Sequence, residues 1–212
     1  MKAPKSDRKN FDKHPEGPCR LVLTRLIDKG TVWNEKKNAY VRSLFMLFES
    51  DKLISSGDHA GKPMSVIQSY TYSMFQNSKL CKFVEQMRGK QFASQQEADE
   101  FDLSSLIGTT IFANITHNGD FTNITSAMPL PQGMEALVPV GDIVIFDMNG
   151  PFPEAAFAKL SDKMKEQIMR SKEYVAWEKG GKKTVRTESV QASQPPFDDD
   201  VPFIQHERGS IV

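Results

Sequence analysis

With 212 residues, 39% of them apolar, the chain is long enough for one domain with additions or for two small domains, and too apolar to be unfolded throughout. Twenty-seven basic and 27 acidic residues give a formal net charge of zero, which by itself points neither to a nucleic-acid binder nor to an enzyme of acidic substrates. The total hides an asymmetry: residues 1–90 hold 17 Lys and Arg against 9 Asp and Glu, and residues 91–212 hold 10 against 18, so the halves carry +8 and −8, a pattern that accompanies nucleic-acid contact paired with an acidic tail.

The first thirteen residues include five basic ones and show no periodicity, which reads as a mobile basic arm. From Cys19 the pattern changes. CRLVLTRLI, AYVRSLFMLFE and MSVIQSYTYSMF are rich in branched and aromatic residues, and the turn-like stretches DKG, WNEKKN and SSGDHAGKP separate them, so three strands are expected. The period then moves to 3.6: Leu80, Phe83, Val84 and Met87 fall at i, i+3, i+4 and i+7, with Asn77 or Ser78 as cap and Gly89 as stop, which predicts a helix of about three turns. QFASQQEADEFDLSSLIG reads as a short helix and a connection.

In TTIFANITHNGDFTNITSAMPLP the tetrads ANIT and TNIT flank His117-Asn118-Gly119-Asp120, and Asn-Gly is the favoured pair for a tight hairpin turn. Two more strands follow, and the sequons Asn114-Ile-Thr and Asn123-Ile-Thr read as strand sequence. Three strands, a helix and two strands is the element order of the OB-fold, a five-stranded barrel with its helix between strands three and four. Periodicity does not prove closure, and an α+β sandwich uses the same elements. Past Pro131 the composition shifts to proline, glycine and apolar residues, a linker or a wrap along the barrel. Residues 153–177 place Phe157, Leu160, Met164, Ile168 and Val175 on one face of an amphipathic helix that must dock. From Lys179 the chain is polar, with almost nothing to bury, and reads as a disordered lead to an acidic end. The expected organisation is a basic arm (1–15), an OB-fold nucleic-acid-binding domain (16–130), a linker and docking helix (131–178), and a lead with an acidic tail (179–212).

No nucleophile elbow, Walker loop, H-E-x-x-H, paired metal carboxylates or dinucleotide fingerprint is present, so the sequence supplies no catalytic residues and calls for no cofactor. Cys19 and Cys81 are isolated and have no histidine cluster beside them, which excludes a zinc site of the usual spacing and fits a reduced, cytoplasmic setting. No apolar run approaches the ~20 residues of a membrane span, and the charged first residues lack the apolar stretch of a signal peptide.

Binding is the stronger reading. Arg20 and Arg25 lie on the first strand, Trp33 with Lys36 and Lys37 at the first turn, Tyr40 and Arg42 on the second strand, Tyr70 and Tyr72 on the third, and Lys79 at the helix start. Single-stranded nucleic acid asks for this mixture, since cations track phosphates and flat rings stack on bases of any identity. Alternation sorts the second strand into Tyr40, Arg42, Leu44, Met46 and Phe48 on one face and Val41, Ser43, Phe45 and Leu47 on the other, with Phe45, Phe48 and Phe112 expected in the core. Trp33, Tyr70 and Tyr72 stand between stacking surface and packing at the edge of the barrel.

The last distinctive stretch is QPPFDDDVPF. Its prolines and adjacent like charges exclude core packing, yet it carries Phe197 and Phe203 around Asp198, Asp199 and Asp200, followed by Val201 and Pro202. PPFDDDVPF resembles the acidic tip of bacterial and bacteriophage single-stranded DNA-binding proteins, which end in aspartates, an aliphatic residue, Pro and Phe. The element order over residues 19–126 looks like the OB-fold of that class. YTYSMFQNSKLCKFVEQMRGKQF is similar to the third strand and helix of small phage-encoded members. One departure is visible: the phenylalanine is normally the last residue, whereas nine residues, IQHERGSIV, follow Phe203. The resemblance implies a non-enzymatic protein that binds single-stranded DNA without strong sequence preference during replication or recombination, in the host-cell cytoplasm if it is phage-encoded. It also implies a tail that docks on replication or recombination proteins or competes with DNA for the basic face. The other class of function that the composition permits is a protein-interaction adaptor or DNA mimic that uses the acidic half and hardly touches DNA.

Overall fold

The computed structural model describes residues 13–180, in which β-structure dominates. The long first strand, β1 (Gly17–Asn34), organises the sheet because it is paired along both edges. On one edge β2 (Ala39–Leu53) runs antiparallel to it from Leu21↔Ser50 to Asn34↔Ala39. On the other edge β4 (Thr110–Asn118) pairs only with Gly17 to Val22. β3 (Pro63–Thr71) extends the sheet from β2, and β5 (Phe121–Pro129) from β4, giving the order β3-β2-β1-β4-β5.

The expectation of five strands in a barrel is corrected in two respects. A sixth strand, β6 (Val144–Phe146), lies parallel to β1 with Arg25↔Val144, Leu26↔Ile145 and Ile27↔Phe146. It sits there because the β4 ladder ends at Val22 and leaves the next stretch of that edge of β1 unpaired. The Val-Ile-Phe triplet, with alternating burial, satisfies this edge. Second, the sheet is open: among the described residues no ladder joins β3 to β5. The two strands communicate through a side chain, with Gln68 Nε2 donating to the Thr122 carbonyl at 3.5 Å. They also communicate through α1 (Lys79–Arg88), whose Phe83 stacks on Tyr70 of β3 and whose closing Gly89 presses against Pro129 of β5.

That helix forms as its periodicity predicts. Ser78 caps it by accepting from the Cys81 amide, Gly89 ends it in the left-handed region at φ 65°, and Leu80, Cys81, Phe83, Val84 and Met87 are buried. They pack with Leu21, Leu23, Met46, Phe48, Val66, Ile111 and Ile115 on the inner face of the sheet. Each such side chain contributes about 1.5–3 kcal/mol when fully buried, so this cluster is the main source of stability. α2 (Gln95–Asp99) and a 3₁₀ turn (Leu103–Leu106) close its end. The β4–β5 hairpin forms where Asn118 and Gly119 predict it, but the two loop residues are Gly119 and Asp120, and of these Gly119 alone has a positive φ. Glycine at the first central position is the type II′ pattern.

A second cluster lies on the opposite face of β1 and β2: Ile27, Val144, Phe146, Met148, Leu160 and Ile168, with Phe45, Phe152, Phe157 and Tyr174 packed against it. Burial on both faces explains why Leu21 to Asp28 on β1 is nearly continuously buried instead of alternating. The segment that covers this face was expected as one amphipathic helix, and the structure divides it into α3 (Glu154–Ala158), α4 (Asp162–Met169) and α5 (Lys172–Lys179). The breaks fall at Ser161 and Ser171, both extended in backbone, whose hydroxyls accept from the Met164 and Tyr174 amides and start a new helix each time. Met164 and Ile168 still pack inward, now on a short helix.

Candidate nucleic-acid interface

Two arginines that the sequence offers as phosphate ligands are engaged within the fold. Arg20 Nε lies 3.3 Å from the Asp51 carboxylate and its Nη1 donates to the Glu135 carbonyl at 2.9 Å, tying β1 to β2 and to the connection after β5. Arg42 is bonded to Asp28 through Nε and Nη2. Burial opposes the charge on Arg42, but the hydrogen bonds and charge of Asp28 outweigh it and hold the guanidinium protonated. Asp28 is 1% exposed and also accepts from the Gly30 and Met148 amides, so it joins β1, β2 and the chain beyond β6. Arg25 is half-buried on β1 between Leu47 and Val144.

Tyr70 of β3 and Tyr72, just past its end, are also part of the packing. Tyr70 stacks on Phe83 with centroids 5.2 Å apart, and burial pushes its phenol far above the ordinary value. Tyr72 lies under the Arg42 guanidinium at 5.1 Å, and its phenol is raised first by burial and then by Asp147 and Asp28. It lines a cavity of about 290 Å³ whose polar groups include Asp28, Asp99, Asp102 and Asp147, an electrostatic environment hostile to phosphate. Lys79 is exposed at the start of α1.

The remaining sequence candidates converge at the tip of the β1–β2 hairpin. Trp33 and Tyr40 are direct partners across the ladder and make a T-shaped contact with ring centroids 5.2 Å apart. They are nevertheless 48% and 55% exposed, unusual for large rings that touch each other. The turn between them holds exposed Lys36 and Lys37. Asn34 Oδ1 accepts from the Lys37 amide at 3.1 Å, and Asn38 takes the left-handed conformation at φ 48°, both common roles of asparagine in turns. A further cation, which sequence reading did not find, completes the group: Lys172 at the start of α5 places Nζ 3.3 Å from the centroid of the Tyr40 ring. An exposed cation–π contact of this kind contributes about 0.5–1 kcal/mol.

α5 is held at this tip by its own anchors. Glu173 accepts from the Thr31 amide at 2.7 Å and the Thr31 hydroxyl at 2.6 Å. Ser171 is buried against Gly30, which has φ 74° in the irregular stretch of β1 between Asp28 and Thr31. Lys29, also missed in the sequence, lies over the Phe45 ring at 5.4 Å, with its pKa lowered by burial. The only sequence signal for Lys172 and Glu173 is their place after a capping serine, and nothing in their spacing connects them to a hairpin 130 residues earlier.

Chemically, the tip offers the exposed Trp33 and Tyr40 rings, the latter covered on one face by Lys172, and three lysines that outnumber the single exposed carboxylate of the turn, Glu35, an arrangement suited to a base and its neighbouring phosphates. Among the described residues no group of three or more His, Cys, Asp or Glu side chains is placed to hold a metal ion. Cys19 and Cys81 are buried free thiols, and burial pushes that of Cys19 up to about 11, far from a reactive thiolate. No described helix is long and apolar enough to cross a membrane. The acidic tip, Phe197, Asp198, Asp199, Asp200, Val201, Pro202 and Phe203, lies outside the described residues, as does most of the basic arm. In comparisons with known proteins no family model, curated protein or solved structure matches the chain.

Proposed function

We propose that this protein binds single-stranded DNA without strong sequence preference, as a non-enzymatic component of DNA replication or recombination. The observation that carries the reading is the exposed pair Trp33–Tyr40, with Lys36 and Lys37 beside Glu35 in the turn between them and Lys172 on the Tyr40 ring. Stacking on such rings is worth roughly 1–3 kcal/mol per base whatever its identity, and the surrounding ammonium groups supply the sequence-independent attraction to phosphates. The strand order β3-β2-β1-β4-β5, with α1 between β3 and β4, supports a relationship to the OB-fold in a form opened between β3 and β5 and extended by β6. The acidic stretch Phe197 to Phe203 then serves contact with replication or recombination proteins, the aspartates giving charge and the rings anchorage. A cytoplasmic location follows from the same reading.

Titration of a fluorescent oligothymidine at two salt concentrations, with unlabelled duplex as competitor, tests this directly. Expected are binding at low salt, a steep loss as salt rises, and little competition by duplex. Absence of binding at low salt overturns the proposal and leaves the protein-interaction adaptor, which has no use for DNA.

A further inference from the structure

We infer that Lys172 is an exchangeable cap on the stacking face of Tyr40, giving up the ring to a DNA base and moving to a neighbouring phosphate. The inference rests on the proposed single-stranded DNA binding and adds to it a residue from the far end of the fold. With Nζ 3.3 Å from the Tyr40 centroid, the ammonium occupies the space that a base stacked on that face needs, so a base cannot stack there while it stays. Both Lys172 and Tyr40 are exposed, and the contact is therefore a weak, solvated cation–π pair. Stacking of a base on an aromatic ring is the stronger contact, and the displaced ammonium gains a phosphate in place of the ring.

The backbone at position 172 is fixed while its side chain is not. Ser171 is fully buried, caps α5 through the Tyr174 amide and lies against Gly30, and Glu173 holds Thr31 through two hydrogen bonds. Lys172 stands between these two anchors, so its Cα is set relative to β1 only a few residues before Trp33. Exchange needs rotation about side-chain bonds and no movement of α5, which keeps the ammonium within reach of the phosphate next to the stacked base.

Two measurements on the full chain test this. In the free protein the ε-methylene protons of Lys172 resonate upfield because of the Tyr40 ring current, and Tyr40→Leu identifies the signal by abolishing the shift. Saturating oligothymidine moves the signal to the position of an uncovered lysine; a signal that stays upfield in the saturated complex overturns the exchange. In parallel, Lys172→Gln lowers oligothymidine affinity roughly five- to ten-fold at 50 mM salt, the amount one released counterion contributes there, and makes the slope of log K against log salt shallower by about 0.7. An unchanged slope overturns the phosphate step even where wild-type binding is intact. If wild-type protein binds no oligothymidine in the titration, the inference falls together with the reading beneath it, whereas saturable binding with a signal that stays upfield marks failure of the exchange alone.

Discussion

Arg42 of β2 closes on Asp28 of β1 across the ladder, and through Asp28 the guanidinium is linked to the Gly30 and Met148 amides. A cation that the sequence offers to DNA thus stabilises the junction between the sheet and its C-terminal cover. The carboxylate is buried and the guanidinium only a quarter exposed, so neither tolerates loss of its partner. Arg42→Met leaves a buried charge uncompensated and is expected to cost about 3–5 kcal/mol in urea denaturation, as pairs of this kind do when halved. Oligothymidine affinity of the protein that remains folded stays unchanged. A variant of full stability with weakened DNA binding would reverse this assignment.

The rings divide in the same way. Trp33→Ala and Tyr40→Ala remove exposed surface at the hairpin tip, and each is expected to weaken oligothymidine binding by roughly 1–3 kcal/mol with little change in melting temperature. Tyr70→Ala removes the ring stacked on Phe83 and lowers the melting temperature instead. Comparison of melting curves and titrations for the three variants separates the roles. Loss of affinity confined to the Tyr70 variant would place the stacking surface on β3.

Much of this division could be read from the chain. Leu80, Phe83, Val84 and Met87 gave α1 its face and Ser78 and Gly89 its ends, and the polar turn around Lys36 and Lys37 was legible, whereas the sequence left Trp33 open between stacking and packing. The orientation of Tyr70 and Tyr72 was not legible, because alternation along β3 states which residues share a face but not which face meets α1. Counting apolar positions over residues 153–177 likewise missed that Ser161 and Ser171 restart the helix, since a hydroxyl bonded to a nearby amide competes with the helical ladder only when the geometry permits. β6 has three residues, too few for a periodic signal, and exists because β4 leaves part of one edge of β1 unpaired. The partners of Asp28 and Thr31 lie in distant parts of the chain, and no local pattern encodes them.

Attachment of α5 is expected to depend on pH through Glu173. Burial opposes ionisation of this carboxyl, but the hydroxyl and amide of Thr31, aided by Arg42, hold it below its ordinary value of 4.5. A depressed carboxyl stabilises the fold above the ordinary value, and the contribution disappears as pH falls below it through the folded value. Glu97 and Asp102, held down chiefly by the Ala93 amide and by Ser104, lose protection over the same direction of pH, but they lie at the surface and contribute little. In a Trp33→Phe background, fluorescence of Trp177, which stacks on Phe152, reports release of α5. Acidification should release α5 before the sheet unfolds, and Glu173→Gln should already be loosened at neutral pH with a flatter response. An identical acid response in the Gln variant would remove Glu173 from this role.

Gly30 tests whether the sheet and its C-terminal cover depend on one residue. Its φ of 74° lies where only glycine is at ease, and a Cβ there would come within 2.5 Å of both Met148 Cε and Ser171 Cβ and 2.8 Å of Glu173 Oε2. The methionine methyl can swing aside. Ser171 cannot, because its Cβ belongs to a buried capping residue whose hydroxyl starts α5. Gly30→Ala therefore combines a left-handed penalty of about 1–2 kcal/mol with an overpacking cost of about 1–3 kcal/mol, and relief of the overpacking requires α5 to move off β1. The variant is expected to melt lower and to show Trp177 emission shifted toward that of an exposed indole. Because Lys172 leaves the tip with α5, its oligothymidine affinity should fall to that of Lys172→Gln and the two substitutions should not add. Additive losses would mean that Lys172 reaches the DNA from a helix that has not moved, and unchanged stability would mean that α5 is not seated on Gly30.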